Sequence, residues 1–221
     1  MFQKKTIEDH VYEEILKKIV ELTYAPGEKL SETKLVAELG VSRTPIKNAF
    51  ARLETEGFVE IRPQRGTFVS QLSQERMLGI CEIREMLEVK AVRTAVKRVT
   101  QAQLDELESL FKKLETMEEG SEEKKLLIYQ TDGLLHNFIY EASGNPVIAE
   151  IINRYKPDIQ RIQRSNYTWD GRKTKTLVEM RKIFTALKER DESKAAAAMA
   201  EHIQNIKLTC ELKIKNEEDL R

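Results

Sequence analysis

Asp132 and His136 stand four residues apart, so an α-helix would set both on one face, bracketed by Leu134, Leu135, Phe138 and Ile139. A carboxylate and an imidazole facing the same way on a largely apolar helix have the chemistry of divalent-metal ligands. The same pair is also a common internal hydrogen bond, and the spacing alone leaves both readings open. A helical metalloenzyme of the carboxylate-bundle type needs Glu-x-x-His elements. Gly133 and Met199 occupy the positions where His136 and His202 would need that glutamate. With no nucleophile triad and no glycine-rich phosphate loop, the chain reads as a protein other than an enzyme.

A second group of residues has the chemistry of nucleic-acid recognition. Arg43 and Thr44 follow Ser42, and Lys47 comes one turn later. Arginine matches guanine O6 and N7, and threonine suits a base methyl or a phosphate. The unpaired N–H groups of a helix start favour phosphate as well. Farther on, Arg62 and Arg65 surround a Pro63-Gln64 turn that ends at Gly66, which without a side chain can approach a backbone or a minor groove closely. Arg52 is placed either to touch phosphate or to bridge Glu56 at i, i+4. Arg62 is placed either to touch DNA or to blunt an edge strand.

The elements that must position these residues are mainly helical. Ile7, Val11, Ile15, Ile19 and Leu22 form one apolar stripe, with Thr6 at the N-cap and Glu8 and Asp9 in the first turn. A short helix over about 31–39 ends at Gly40. A third runs from Ser42 to about Gly57 with Pro45 in its first turn. Two short helices around a glycine turn have the spacing of a helix-turn-helix. The β-prone runs 58–61 and 66–70 then add a hairpin, which makes a winged helix. After a polar connector at 71–74, helices are predicted over 74–99, 101–119, 122–142, 146–164, 174–189 and 193–215. The predicted fold class is therefore mainly α: a winged helix-turn-helix over 1–72, then a six-helix antiparallel bundle over 73–221 for effector binding and dimerisation.

The 221 residues carry 37 Lys plus Arg and 37 Asp plus Glu, which excludes a uniformly basic tail protein. A local patch is enough for DNA: residues 41–66 hold five cationic side chains against three glutamates. No apolar run is long enough to span a membrane, and the polar start has no signal-peptide character. Cys81 and Cys210 read as reduced, buried thiols, so a cytoplasmic location is expected.

Several stretches together resemble the DNA-binding domain of the GntR family of bacterial winged-helix transcription regulators. They are Pro26-Gly27-Glu28-Lys29-Leu30-Ser31-Glu32, Leu39-Gly40-Val41-Ser42-Arg43-Thr44-Pro45, Leu53-Glu54, Glu56-Gly57-Phe58-Val59 and Arg65-Gly66-Thr67-Phe68-Val69. The resemblance implies that Arg43, Thr44 and Lys47 read the major groove of a palindromic operator and that Gly66 reaches the minor groove. Lys47-Asn48 departs from the family's Arg-Glu, which bears on operator choice. In the second half, Asp132-x-x-x-His136-x-x-Ile139-Tyr140, Ser143-Gly144-Asn145, Ala186-Leu187 with Asp191, and Met199-x-x-His202-Ile203 resemble the FadR-type (FCD) ligand-binding domain. That likeness implies a divalent metal (Zn, Mn or Ni) on Asp132, His136 and His202, with an organic-acid effector at or near it. A further histidine of the family's set would fall at Met180, so a metal-free regulator sensing an acyl-type ligand and a constitutive dimeric DNA-binding protein are the alternatives. At Arg84 the family often has an arginine that faces the pocket; a surface pair with Glu88 is the competing reading. Arg161, Arg164 and Trp169 are expected near that pocket. The expected whole is a cytoplasmic homodimeric repressor with a small-molecule effector and no membrane contact.

Overall fold

The structure, a computed structural model, describes residues 5–167 and 172–218. Contacts divide the chain into two compact units, residues 1–73 and 74–221. Among the described residues there are nine helices and one small sheet.

In the first unit, α1 (Ile7–Val20) starts at a capping box. The Thr6 hydroxyl accepts from the Asp9 N–H, and the Asp9 carboxylate accepts from the Thr6 N–H. The inner face of α1 is Val11, Tyr12, Ile15 and Ile19, a shorter stripe than the sequence suggested. Ile7 is exposed, and Leu22 lies past the helix end at positive φ. Helices α2 (Glu32–Leu39) and α3 (Arg43–Thr55) follow, separated by Gly40 at φ 65°, a left-handed turn that glycine adopts without steric cost. Ile46, Ala49, Phe50 and Leu53 of α3 close on α1 around Leu35. Strands β2 (Val59–Arg62) and β3 (Gly66–Val69) form the expected hairpin, with Val59 opposite Val69 and Arg62 opposite Gly66. A strand the sequence did not announce, β1 (Lys29–Leu30), pairs antiparallel with β3, so the order is β1-β3-β2. Two residues are too short for a period-2 pattern to show.

The second unit is built of α4 (Gln74–Ala95), α5 (Gln101–Thr116), α6 (Glu122–Ser143), α7 (Pro146–Tyr167), α8 (Arg172–Lys188) and α9 (Glu192–Glu218). Its caps follow the sequence. The Ser121 hydroxyl accepts from the Lys124 N–H, and the Asn145 carboxamide accepts from the Val147 N–H, beside Pro146 at the first helical position. Leu104, Leu107, Phe111 and Leu114 give α5 one buried face, and the Phe111 and Phe184 rings meet at 5.0 Å. Helix α4 packs most extensively on α9 and also against α6 and α7, so it runs through the centre of the bundle. Cys81 on α4 and Cys210 on α9 are both buried. No helix among the described residues is long and apolar enough to cross a membrane.

Candidate functional site

The first unit presents α3 with its N-terminus open. Ser42 sits at the N-cap in extended conformation, yet its hydroxyl makes no capping bond. The reason is local: the third helical residue is Pro45, which has no N–H to donate. Arg43, Thr44 and Lys47 are exposed on this first turn and a half, while Ile46 between them is fully buried and anchors the helix. At the wing, Arg62 pairs with Glu60 at 2.8 Å and lies over the Phe68 ring, and Arg65 is exposed at the tip. Gly66 has φ +111°, and a Cβ there would press on the flexible end of Lys29. Arg52 is engaged within the unit. It stacks on the Tyr12 ring at 3.6 Å and bridges Asp9 and Glu56, and Tyr12 hydrogen-bonds Glu56 as well. Arg52 thus makes the i, i+4 pair with Glu56 while its side chain stays half exposed.

In the second unit, α6 and α9 bring Asp132, His136 and His202 together, each almost wholly buried. The Nε2 atoms of His136 and His202 face each other at 3.3 Å. Asp132 Oδ1 lies 3.5 Å from His202 Nε2 and 3.8 Å from His136 Nε2. The far side of each ring is taken: His136 Nδ1 lies 2.6 Å from Glu88 Oε2, off the ideal hydrogen-bond axis, and His202 Nδ1 lies 2.9 Å from Glu179 Oε2. Asp132 Oδ2 accepts from the Gln163 amide at 2.6 Å, whereas Oδ1 is buried and accepts nothing.

These contacts decide whether a cation fits. With both Nδ1 atoms facing carboxylates, neutral rings turn their Nε2 lone pairs toward each other and toward the orphaned Oδ1. Three acceptors so arranged call for positive charge, either a metal ion or a proton shared across the 3.3 Å Nε2–Nε2 contact. Donors bound to zinc at 2.0–2.2 Å in a tetrahedron stand about 3.3–3.5 Å apart, close to the spacing here. One carboxylate and two imidazoles fit a divalent transition metal. Met180, at the position where the resemblance puts a further histidine, is fully buried, and its thioether is a poor partner for such an ion.

The charges around the cluster shift its titration. Burial pushes the Glu88 carboxyl up, but the Arg84 and His136 charges outweigh it and hold Glu88 well below the ordinary carboxylate range. Burial opposes ionisation of Glu179 too, and hydrogen bonds from His202 and Arg172 carry it below its usual value. Desolvation disfavours the His136 cation, yet Glu88 raises the net value. Arg84 is not the surface residue of the pairing alternative: it is 2% exposed, donates to Glu88 at 2.7 Å and also lines a cavity. That cavity, about 310 Å³, lies between α6 and α7 and reaches His136, Tyr140 and Gln163. Arg161 and Arg164 do not line it, although the Arg164 guanidinium lies over Tyr129, which does. Trp169 lies outside the described residues. Sequence reasoning missed Glu179, Arg172, Gln163 and Asn205, and saw Glu88 only as a partner for Arg84. On helices rich in Lys and Glu, nothing in the spacing marks which carboxylates turn inward.

Residues 79–205 match the FCD domain family, and residues 7–69 match the family of bacterial regulatory proteins, gntR family. The chain belongs to the GntR family. Its relatives are named as transcription regulators, not enzymes. The HTH-type transcriptional repressor RspR of Escherichia coli K12 is 27% identical over 201 residues, 90% of this chain and 87% of that one. The Nta operon transcriptional regulator of Aminobacter aminovorans is 30% identical over 182 residues, 82% and 83% of the two chains. Among solved structures, E. coli McbR/YncC superposes with TM-score 0.74 over 95% of this chain and all of that one, at 23% identity, a likeness of fold. The chain is thus a DNA-binding transcription regulator of the GntR type with a helical FCD domain.

Proposed function

We propose that this regulator is a cytoplasmic homodimer, a repressor, whose grip on a palindromic operator is set by a small organic acid bound in the helical unit beside a divalent metal. The convergence of two imidazole Nε2 atoms and an unpartnered Asp132 oxygen in a buried site carries the metal part of this reading. Asp132, His136 and His202 would hold zinc, manganese or nickel, and the ion would supply positive charge for a carboxylate. The cavity that touches His136 would admit the acid. The relative's printed name, a repressor, supports the sign of regulation.

Arg43 and Thr44 would read bases in the major groove and Lys47 would hold phosphate. Arg65 and Gly66 would follow the minor groove, with Arg62 at the wing's edge. Arg52 is left to scaffolding, because Asp9, Glu56 and Tyr12 already engage it. Two such surfaces in a dimer would match two half-sites. Coupling would run through α4, which begins at Gln74, directly after the first unit, and carries Arg84 and Glu88 to the metal cluster. An effector that favours one arrangement of the dimer would shift operator affinity by its differential binding to the two states.

The reading is tested by selecting a bound duplex from a random library with the full chain. A two-fold symmetric sequence is expected. Arg43→Ala should weaken binding to it by about 1–3 kcal/mol and relax one base position, whereas Lys47→Ala should weaken all sequences alike. Selection of no consensus, or an Arg43→Ala chain with full specificity, would contradict it. Met180 in place of a histidine favours a second reading, a metal-free effector pocket, and metal analysis separates the two.

A further inference from the structure

The cluster is backed on two sides by an arginine-bound carboxylate that faces the outer nitrogen of a histidine ring. On one side Arg84 Nε donates to Glu88 Oε1 at 2.7 Å, which leaves Glu88 Oε2 facing His136 Nδ1 at 2.6 Å. On the other, Arg172 donates to both oxygens of Glu179 at 2.9–3.0 Å and Asn205 donates to Oε1. Glu179 Oε2 meets His202 Nδ1 at 2.9 Å. All of Arg84, Glu88, Arg172 and Glu179 are at most 6% exposed. Burying two arginine–glutamate pairs is costly, and a hydrophobic pair of like volume often serves stability as well or better. Stability alone is a weak account of them. Orientation is a better one: Glu179 shares its oxygens between Arg172 and His202 Nδ1 in a hydrogen bond, and Glu88, fixed by Arg84, sets a carboxylate oxygen against His136 Nδ1, so both rings stand with Nδ1 outward and Nε2 inward.

We infer that Glu88 and Glu179, each locked by its arginine, are positioning residues that present the Nε2 atoms of His136 and His202 to the metal, and that Arg84 acts on the metal through Glu88. Each arginine–glutamate pair is neutral as a unit. The three ligands then carry only the Asp132 charge, and a divalent ion leaves one positive charge for an anionic effector. This inference rests on the metal reading proposed above. It adds which atoms ligate and which residues set the affinity. Carboxylate partners of ligating histidines fix ring orientation and raise basicity, and their loss costs 10–100-fold in metal affinity.

The test measures zinc affinity of the full chain by competition with a chromogenic chelator. Nitrogen-15 NMR of the zinc-loaded parent reads which ring nitrogens ligate. The expected result is Nε2 ligation with a proton on Nδ1 of both His136 and His202. Glu88→Gln and Glu179→Gln should each bind zinc 10–100-fold more weakly. Glu179→Leu, which removes the acceptor altogether, should be weaker still. Arg84→Met should weaken zinc although arginine donates no ligand atom, and Glu201→Gln, at an exposed pair with Lys182, should not change it. Ligation through Nδ1, or parent-like zinc affinity in the Glu88, Glu179 and Arg84 variants, would overturn the inference while leaving a metal site in place. A parent chain that takes up no zinc, manganese or nickel would instead overturn the metal reading beneath it. The NMR assignment stands apart from any loss of folding in a variant.

Discussion

At the scale of single residues, the helical unit is organised by charges that are buried only because they answer one another. Glu88 and Glu179 have folded values below the ordinary 4.5, so the stability they contribute is fully present above that pH and is lost as pH falls through their lowered values. His136 is shifted the other way. In the metal-free chain its contribution is present below 6.5 and fades as pH rises through its raised value. Metal-free protein should therefore melt at its highest temperature between those limits. The acid limb should flatten in Glu179→Gln, which has no carboxylate to protonate. An acid limb of unchanged steepness in that variant would remove Glu179 from the account. Core residues are simpler. Leu53 is fully buried against α1, and Leu53→Ala should cost about 2–5 kcal/mol in chemical denaturation of the first unit.

At the scale of elements, caps and periodicity made most helices legible in the sequence. Thr6, Ser121 and Asn145-Pro146 all start helices where their chemistry says they should. Thr6→Ala removes the hydroxyl of a complete capping box and should destabilise α1 by about 1 kcal/mol, measurable as a shift in denaturant midpoint. What was not legible has specific causes. The Ser42 hydroxyl makes no cap because the partner N–H belongs to a proline. Strand β1 needs β3, distant in sequence, to exist at all. The Asp132–His136 pair could be placed on one face from spacing, but the approach of His202 on α9, and of the two glutamates behind the rings, depends on how four helices pack. Arg84 shows the limit most clearly. Its i, i+4 partner Glu88 and a place at the pocket were both readable, the second only from the resemblance, because buried arginine is rare and the spacing alone suits a surface pair equally well.

At the scale of the whole molecule, the chain holds two cores with different tasks. Residues 1–73 bury Ile15, Ile19, Ile46, Phe50 and Leu53 among themselves, and residues 74–221 bury the polar cluster inside six helices. A ligand that binds only the folded form adds stability as RT ln(1 + [L]/Kd), about 2.7 kcal/mol at one hundred times Kd. Zinc should therefore raise the melting transition of the helical unit and leave that of the winged unit where it was. Equal shifts in both would mean that the ion acts elsewhere. The same logic links operator and effector: if the metal-bound acid weakens DNA binding, DNA must weaken the acid by the same factor.

The central claim is that Asp132, His136 and His202 form a metal centre with three protein ligands, despite Met180. The most direct measurement is metal content per chain by elemental mass spectrometry, on tagless protein purified without a nickel column and dialysed against zinc or manganese. The account predicts a value near one ion per chain, abolished in His136→Ala. A value near zero in the parent, unchanged by dialysis against either metal, would contradict it.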